Sequence, residues 1–181
     1  VAESSPLKQT LFNWAVDIGK QRYVLELRKE RIPVHIRLGY WLSTHLIFNK
    51  IREQFGGHLR FFISGGAKLS RGIARFFYAT GILILEGYGL TETSPVVSVN
   101  RPHANRFGTV GIPLDNVRVR IADDGEILVQ GPNVMKGYYK DDAATAEVLR
   151  NDWFYTGDIG VCDDQGYLKI TDRKKDIIVT S

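Results

Sequence analysis

The chain has 181 residues, 44% hydrophobic and 11% aromatic, and a formal net charge of +4. That composition supports a packed core and argues against a disordered chain. The mild positive balance suits an acidic ligand such as a phosphate without demanding nucleic acid.

Residues 7 to 27 read as a helix, with Leu7, Leu11, Trp14, Ile18 and Leu25 keeping one face apolar. Within it begins the densest basic stretch, "KQRYVLELRKER", residues 20 to 31, with five Lys or Arg against two Glu. It reads as a solvated helix face, with a nucleic-acid arm as the lesser alternative. Ile32-Pro33 breaks the pattern. A second helix follows, with Ile47, Phe48, Ile51 and Phe55 on one side, and Gly56-Gly57 ends it. "LRFFIS", 59 to 64, is a strand. Ser70 is positioned as the N-cap of a helix whose buried stripe is Ile73, Ala74, Phe76 and Phe77, closed by Gly81. "ILIL" is a second buried strand. Strand, helix and strand in this length predict a βαβ unit, hence a parallel pair with a right-handed crossover, in a sheet covered on both faces.

After about Pro102 the texture changes. "NVRVRIADDGEILVQG" alternates Val117, Val119 and Ile121 with Arg118 and Arg120, then turns at Asp124-Gly125. That is a hairpin with one wet face. "DIGVCDDQGYLKI" repeats the plan with a turn at Asp164 to Gly166, and "DDAATAEVL" between them is a short helix. The fold class is therefore α/β, with a parallel βαβ portion followed by an antiparallel β subdomain. The single cysteine, Cys162, makes no internal disulfide, which points to a reducing compartment. Its setting, "IGVC", reads as a buried structural thiol rather than a nucleophile. No run is long enough to span a bilayer. The chain starts at Val1 and ends on the apolar run "DIIVTS", so a segment of a larger protein is expected.

Ligands of an open parallel sheet bind beyond the carboxyl ends of its strands. Two glycine-bearing stretches stand at such ends: "SGGAKL" after "RFFI" and "EGYGLTETSPVVS" after "ILIL". Gly65 and Gly66 permit close backbone approach to a flat ligand. Tyr88 offers a ring for stacking on a base, Thr91 a hydroxyl for a phosphate oxygen, and Glu92 a hard oxygen that with phosphates suits Mg²⁺. The plain alternative is a pair of ordinary turns. "WFYTGDIG" sets Asp158 where a carboxylate accepts both hydroxyls of a ribose; the alternative there is a β-turn aspartate. "TDRKKDIIV" places Arg173, Lys174 and Lys175 to meet a phosphate, or else forms an exposed turn.

In order, "SGGAKL", "GYGLTETSP", "GTVGIPL", "GEILVQGPNVMKGYY", "WFYTGDIG" and "DRKKDIIV" resemble the successive core motifs of the AMP-forming acyl-CoA synthetases. These belong to the adenylate-forming superfamily that also holds luciferases and peptide-synthetase adenylation domains. "FNWAVDIGKQ" and "LIFNKIREQFGGHLRFFISGGAKLS" resemble the lead-in of the long-chain fatty-acid branch. The resemblance implies part of the large N-terminal domain: an α/β portion over 1–101, a β-rich subdomain over 102–171, and a hinge over 172–181 to a C-terminal domain. It implies Gly65, Gly66 and Ala67 on the adenine and acyl side, and Gly87 and Gly89 lining the acyl and nucleotide pockets. Tyr88 packs on adenine, Thr91 binds phosphate and Glu92 holds Mg²⁺. Asp158 holds the ribose, Arg173 contacts the nucleotide, and Lys175 is the hinge residue. ATP and coenzyme A are the implied co-substrates, with a fatty or other carboxylic acid as the third partner and no nucleic acid. The implied location is cytoplasmic, with peripheral membrane association compatible because fatty acids partition into bilayers. The family's phosphate loop would lie upstream and its C-terminal lysine and most of its coenzyme A site downstream, so these 181 residues alone are expected not to complete the reaction. The other readings are a ligase for a different acid and a non-catalytic nucleotide-binding module.

Overall fold

A computed structural model describes residues 5–174. The chain divides into two compact units: the stretch up to Phe62 with Leu69–Ile84, and Ile63–Lys68 with Leu85 onward.

The first unit is helical. Helix α1 (Pro6–Leu27) opens on a proline, whose missing N–H costs nothing in a first turn. It buries Ala15, Val16, Ile18, Gly19 and Tyr23, while Leu7, Leu11 and Trp14 are exposed. Of the expected stripe only Ile18 is fully buried. The reason is close approach: a Cβ on Gly19 would stand 2.6 Å from the Ala79 carbonyl oxygen, so small residues mark the contact with α4 (Arg71–Ala79). Arg22 in the basic stretch pairs with Glu26 at 2.8 Å and lies over the Tyr40 ring. Pro33 sits at the N-cap of α2 (Val34–Ser43). A π-helical turn, Thr44–Phe48, joins α2 to α3 (Asn49–Glu53). At that join the buried Ser43 hydroxyl donates to the Gly39 carbonyl, which draws the backbone off the regular ladder. Phe48 is fully buried, Ile47 and Ile51 are half-buried, and Phe55 is exposed. Gly56 and Gly57, at φ 80° and 72°, terminate this helical run. Ser70 is the N-cap residue of α4, but its side chain makes no capping bond, and Ile73 of the expected stripe is exposed.

The second unit holds two sheets. The first runs β1 (Phe62–Ser64), β2 (Ile84–Gly89), β3 (Val96–Val99) and β4 (Ile112–Pro113) in that order. β1 and β2 form the parallel pair that the strand–helix–strand pattern predicts. β1 is not covered on both faces, since Ile63 is 68% exposed. The second sheet runs β5 (Arg118–Ile121), β6 (Glu126–Gln130), β8 (Trp153–Cys162) and β7 (Leu149–Arg150), with β9 (Leu168–Arg173) also paired to β8. All its recorded pairings are antiparallel. The β5–β6 turn uses Gly125 at φ 84°, and Arg118 and Arg120 face water as the alternation predicts. Between β6 and β8, α5 (Asp142–Val148) is capped by the Asp141 carboxylate, which accepts the Ala144 N–H. Val97, Val117, Ile127, Val129, Phe154 and Leu168 form one buried cluster shared by both sheets.

Candidate nucleotide site

Strand β2 continues past "ILIL" through Glu86, Gly87, Tyr88 and Gly89. The glycine-bearing stretch is thus half strand and half turn rather than a loop. Gly87 pairs with Val99 and Tyr88 with Ser98, and the register shifts between Tyr88 and Gly89. A 3₁₀ turn, Thr91–Thr93, follows. Thr93 builds it: its buried hydroxyl accepts the Leu90 N–H at 2.9 Å and donates to the Pro95 carbonyl at 2.7 Å. With Thr93 so engaged, Thr91 is left facing solvent and Glu92 is half-buried. The segment after β6 braces the turn. Met135 N–H donates to the Glu92 carbonyl at 2.7 Å, and Asn133 Nδ2 donates to the Thr93 and Val96 carbonyls. Tyr138 donates its phenol to Glu92 Oε1 at 3.0 Å. Partial burial, and then Glu92 itself, raise the Tyr138 pKa, so the group remains a donor at neutral pH.

Asp158 lies within β8, on the face that also buries Phe154, Thr156 and Gly160, as the two-residue period of a strand requires. The β-turn alternative is therefore excluded. Directly opposite in β9 is Arg173, whose Nε donates to Asp158 Oδ1 at 3.1 Å. Tyr88 donates its phenol to Asp158 Oδ2 at 2.7 Å. Desolvation pushes the Tyr88 phenol well above its ordinary pKa, and the bond to Asp158 adds to this. Three residues named from three separate motifs thus meet at one carboxylate. Each carboxylate oxygen has a second lone pair, so these bonds leave Asp158 able to accept further hydroxyls.

Gly65, Gly66 and Ala67 are exposed, and Gly66 adopts φ 80°. A Cβ on Gly65 would lie 3.5 Å from the Gly87 carbonyl, so the "GGA" loop does border the "GYG" strand. An open cavity of about 1000 Å³ is walled by Glu92, Tyr138, Glu126, Gly157, Arg173 and Lys174, among others. Of the predicted site residues, Glu92 and Arg173 line it. Lys175 lies outside the described residues.

Lys174 Nζ stands 2.7 Å from both Asp124 Oδ2 and Glu126 Oε2. The Lys174 bond lowers the Asp124 pKa, and its two carboxylate partners, Asp124 first, raise that of Lys174. A depressed carboxyl stabilises the fold above its unfolded value and loses that contribution as pH falls through its folded value. A raised amine contributes below its unfolded value and loses it as pH rises through its folded value. The clasp is therefore intact between roughly pH 4 and pH 10. An NMR titration should give Asp124 a midpoint below the ordinary carboxylate range, and Lys174→Met should move it up toward that range, with the Glu126 N–H that donates to Asp124 Oδ1 keeping part of the lowering. A midpoint unmoved by Lys174→Met would mean that the ion pair does not set it.

Cys162, expected to be buried, is exposed. The inward alternation of β8 ends at Gly160, and Cys162 occupies the exposed last position of the strand. Partial desolvation and then Asp163 raise its thiol pKa, the opposite of an activated nucleophile.

The sequence reading missed Glu126, Tyr138 and Thr93. Thr93 stands two residues past the threonine singled out. Tyr138 lies in the quoted "KGYY". Glu126 opens the run "EILV", whose burial the structure shows, but beside the Asp124-Gly125 turn it reads from sequence as solvated.

A model of the AMP-binding enzyme family matches residues 14–139. The chain belongs to that family. It is 43% identical over 146 residues to the long-chain-fatty-acid–CoA ligase FadD15 of Mycobacterium bovis, a match over 81% of this chain and 24% of that protein. It is 38% identical over 181 residues to the putative fatty-acid–CoA ligase fadD11 of Mycobacterium tuberculosis, over 99% of this chain and 32% of that protein. The chain thus spans 24% and 32% of the length of these two relatives. Among solved structures it resembles o-succinylbenzoate coenzyme A synthetase (MenE) from Bacillus subtilis, in complex with ATP and magnesium ion. The TM-score is 0.62 at 31% identity, covering 67% of this chain and 28% of that one. The fold of the chain is accordingly that of the adenylate-forming enzymes. Among the described residues, no helix is long and apolar enough to cross a membrane.

The residues present fit Mg²⁺ only as an ion shared with phosphates. Among the described residues no cluster of three His, Cys, Asp or Glu side chains could hold a metal alone. Mg²⁺ commonly takes one or two carboxylates plus substrate phosphates and water, and Glu92, half-buried at the cavity wall, is a carboxylate that would suit such a shared ion.

Proposed function

We propose that this chain is the central portion of a long-chain fatty-acid–CoA ligase. The observation that carries the reading is the meeting of Tyr88, Asp158 and Arg173 at one buried carboxylate. The β8–β9 register sets Arg173 opposite Asp158, and Tyr88, 70 positions away in another motif, joins them, which supports a carboxylate, ring and cation serving one ligand. A nucleoside fits the three: Asp158 accepts ribose hydroxyls, the Tyr88 ring, steadied through its phenol, packs on the base, and Arg173 meets the nucleotide from β9. Gly65, Gly66 and Ala67 form the adenine and acyl side, with Gly87 across from Gly65. Thr91 presents a free hydroxyl to phosphate.

The acid's carboxylate oxygen attacks the α-phosphorus of ATP. The bond to the bridging oxygen breaks, and pyrophosphate leaves. The thiolate of coenzyme A then attacks the acyl carbonyl, the carbon–oxygen bond to AMP breaks, and AMP is released. Two anions must meet in the first step, so charge neutralisation dominates. Mg²⁺ held by Glu92 would supply part of it. Lys175 is proposed as the hinge about which a C-terminal domain turns between the half-reactions. Higher identity to fatty-acid ligases than to the o-succinylbenzoate enzyme supports a fatty acid as substrate.

In the complete protein, a long-chain fatty acid, ATP, Mg²⁺ and coenzyme A should yield acyl-CoA, AMP and pyrophosphate in equal amounts. Glu92→Gln should lower kcat by roughly 10²-fold, the scale for removing one electrostatic element of a transition state. Its Tm should stay close to wild type, since among the described residues the Glu92 side chain is bonded only by the exposed Tyr138 phenol. Nucleotide binding without pyrophosphate release by the wild type would favour a non-catalytic module instead.

A further inference from the structure

The ladder between β6 and β8 is interrupted at the site. Glu126 pairs with Ile159 but Leu128 pairs with Tyr155, so β8 carries extra residues at Thr156, Gly157 and Asp158. Gly157 takes φ 72°, a left-handed conformation in a bulge. Bulged residues lose ladder partners and need others. Thr156 finds one on the β6 backbone: its hydroxyl donates to the Ile127 carbonyl at 2.8 Å and accepts the Asp158 N–H at 3.1 Å. Gly157 finds one on a side chain. Its N–H donates to Glu126 Oε1 at 2.8 Å. The other oxygen, Glu126 Oε2, accepts Lys174 Nζ. Glu126 is 5% exposed.

Each oxygen of this buried carboxylate therefore holds the neighbour of a nucleotide-site residue. Gly157 immediately precedes Asp158, and Lys174 immediately follows Arg173. We infer that Glu126 is a positioning residue: by replacing the missing ladder acceptor of Gly157 it fixes the bulge that aims Asp158 at the ribose. The inference rests on the nucleotide reading of the site. A carboxylate one methylene shorter does not reach Gly157, whereas an amide of the same length does. The action is geometric, so length matters more than charge.

The test is AMP titration by calorimetry on the complete protein, with thermal melts confirming that each variant is folded. Glu126→Gln should bind AMP within about threefold of wild type, because its amide oxygen still accepts the Gly157 N–H. Glu126→Asp and Glu126→Ala should each bind at least roughly tenfold more weakly, the scale of one hydrogen bond to a charged group. The opposite order, with Glu126→Asp retained and Glu126→Gln lost, would show that charge toward Lys174 matters and overturn the positioning role. Lowered Tm with unchanged AMP affinity in all variants would reduce Glu126 to a structural residue. Absence of AMP binding by the wild type would remove the nucleotide reading itself, and this inference with it. Should Glu126→Ala not fold, the Glu126→Gln and Glu126→Asp pair decides alone.

Discussion

Replacing Asp158 by Asn in the complete protein should weaken AMP binding by roughly 100-fold or more, while the protein stays folded. A hydrogen bond to an ionised carboxylate contributes about 1.5–3 kcal/mol, or roughly ten- to a hundredfold in affinity, and two ribose hydroxyls are involved. The amide matches the carboxylate in shape and still accepts the Tyr88 phenol, but one of its two arms becomes a donor and faces Arg173. Asp158→Ala should bind as poorly and also lose about 1–3 kcal/mol of stability, because the Tyr88 phenol is then left without its acceptor. Ribose contacts are made equally in ground and transition states. The KM for ATP should therefore rise with kcat changing far less. Steady-state kinetics read this directly. A fall in kcat at unchanged KM would place Asp158 in the reacting chemistry instead and remove the ribose assignment.

Asp158 was legible because "TGD" sets a carboxylate after a tight Thr-Gly, and Arg173 because it opens a basic run between Asp172 and Asp176. Their mutual contact was not legible, since it depends on the β8–β9 register, which puts Asp158 opposite Arg173. A one-residue slip would have reversed the facing of one strand. Hairpin positions came through for the same reason that turns are local: Gly125 and Gly166 take φ 84° and 81°, and little besides Gly does so without strain. Helix faces came through less well. In α1 the large apolar residues suggested the buried stripe, yet the closest contact is made by Gly19, whose value lies in what it lacks. Cys162 failed for a related reason. Apolar sequence neighbours describe a strand, but burial at its last residue depends on what covers that end. Glu126 escaped because a charged residue beside a turn normally reads as solvated, and only the bulge in β8 gives it a buried partner.

The two glycines of "GYG" should respond very differently to alanine, although the family resemblance gives them parallel roles. A Cβ on Gly89 would fall 1.6 Å from the Pro95 carbonyl oxygen and 2.6 Å from its carbon. Both atoms are backbone in the tight connection from β2 to β3, held there by Thr93 and Asn133, so no side-chain rotation relieves the overlap. Gly89→Ala should cost more than about 4 kcal/mol, a loss reached only when a named structural element is broken. Against a total of roughly 5–15 kcal/mol, that leaves a protein that barely folds. A Cβ on Gly87 meets only the Ser98 carbonyl oxygen at 3.3 Å and Val99 Cγ2 at 3.4 Å. Gly87→Ala should cost about 1 kcal/mol, at the low end for an added methyl group. Any larger functional loss in that variant must then come from the ligand's side of the strand. Thermal melts and AMP titration of the two variants separate the causes. On this division Gly89 is glycine because the hairpin closes on it, whereas Gly87 borders the "GGA" loop and, on the proposed reading, the ligand. A Gly89→Ala protein with wild-type Tm and weakened nucleotide binding would reverse that division and assign the tight turn itself to the ligand.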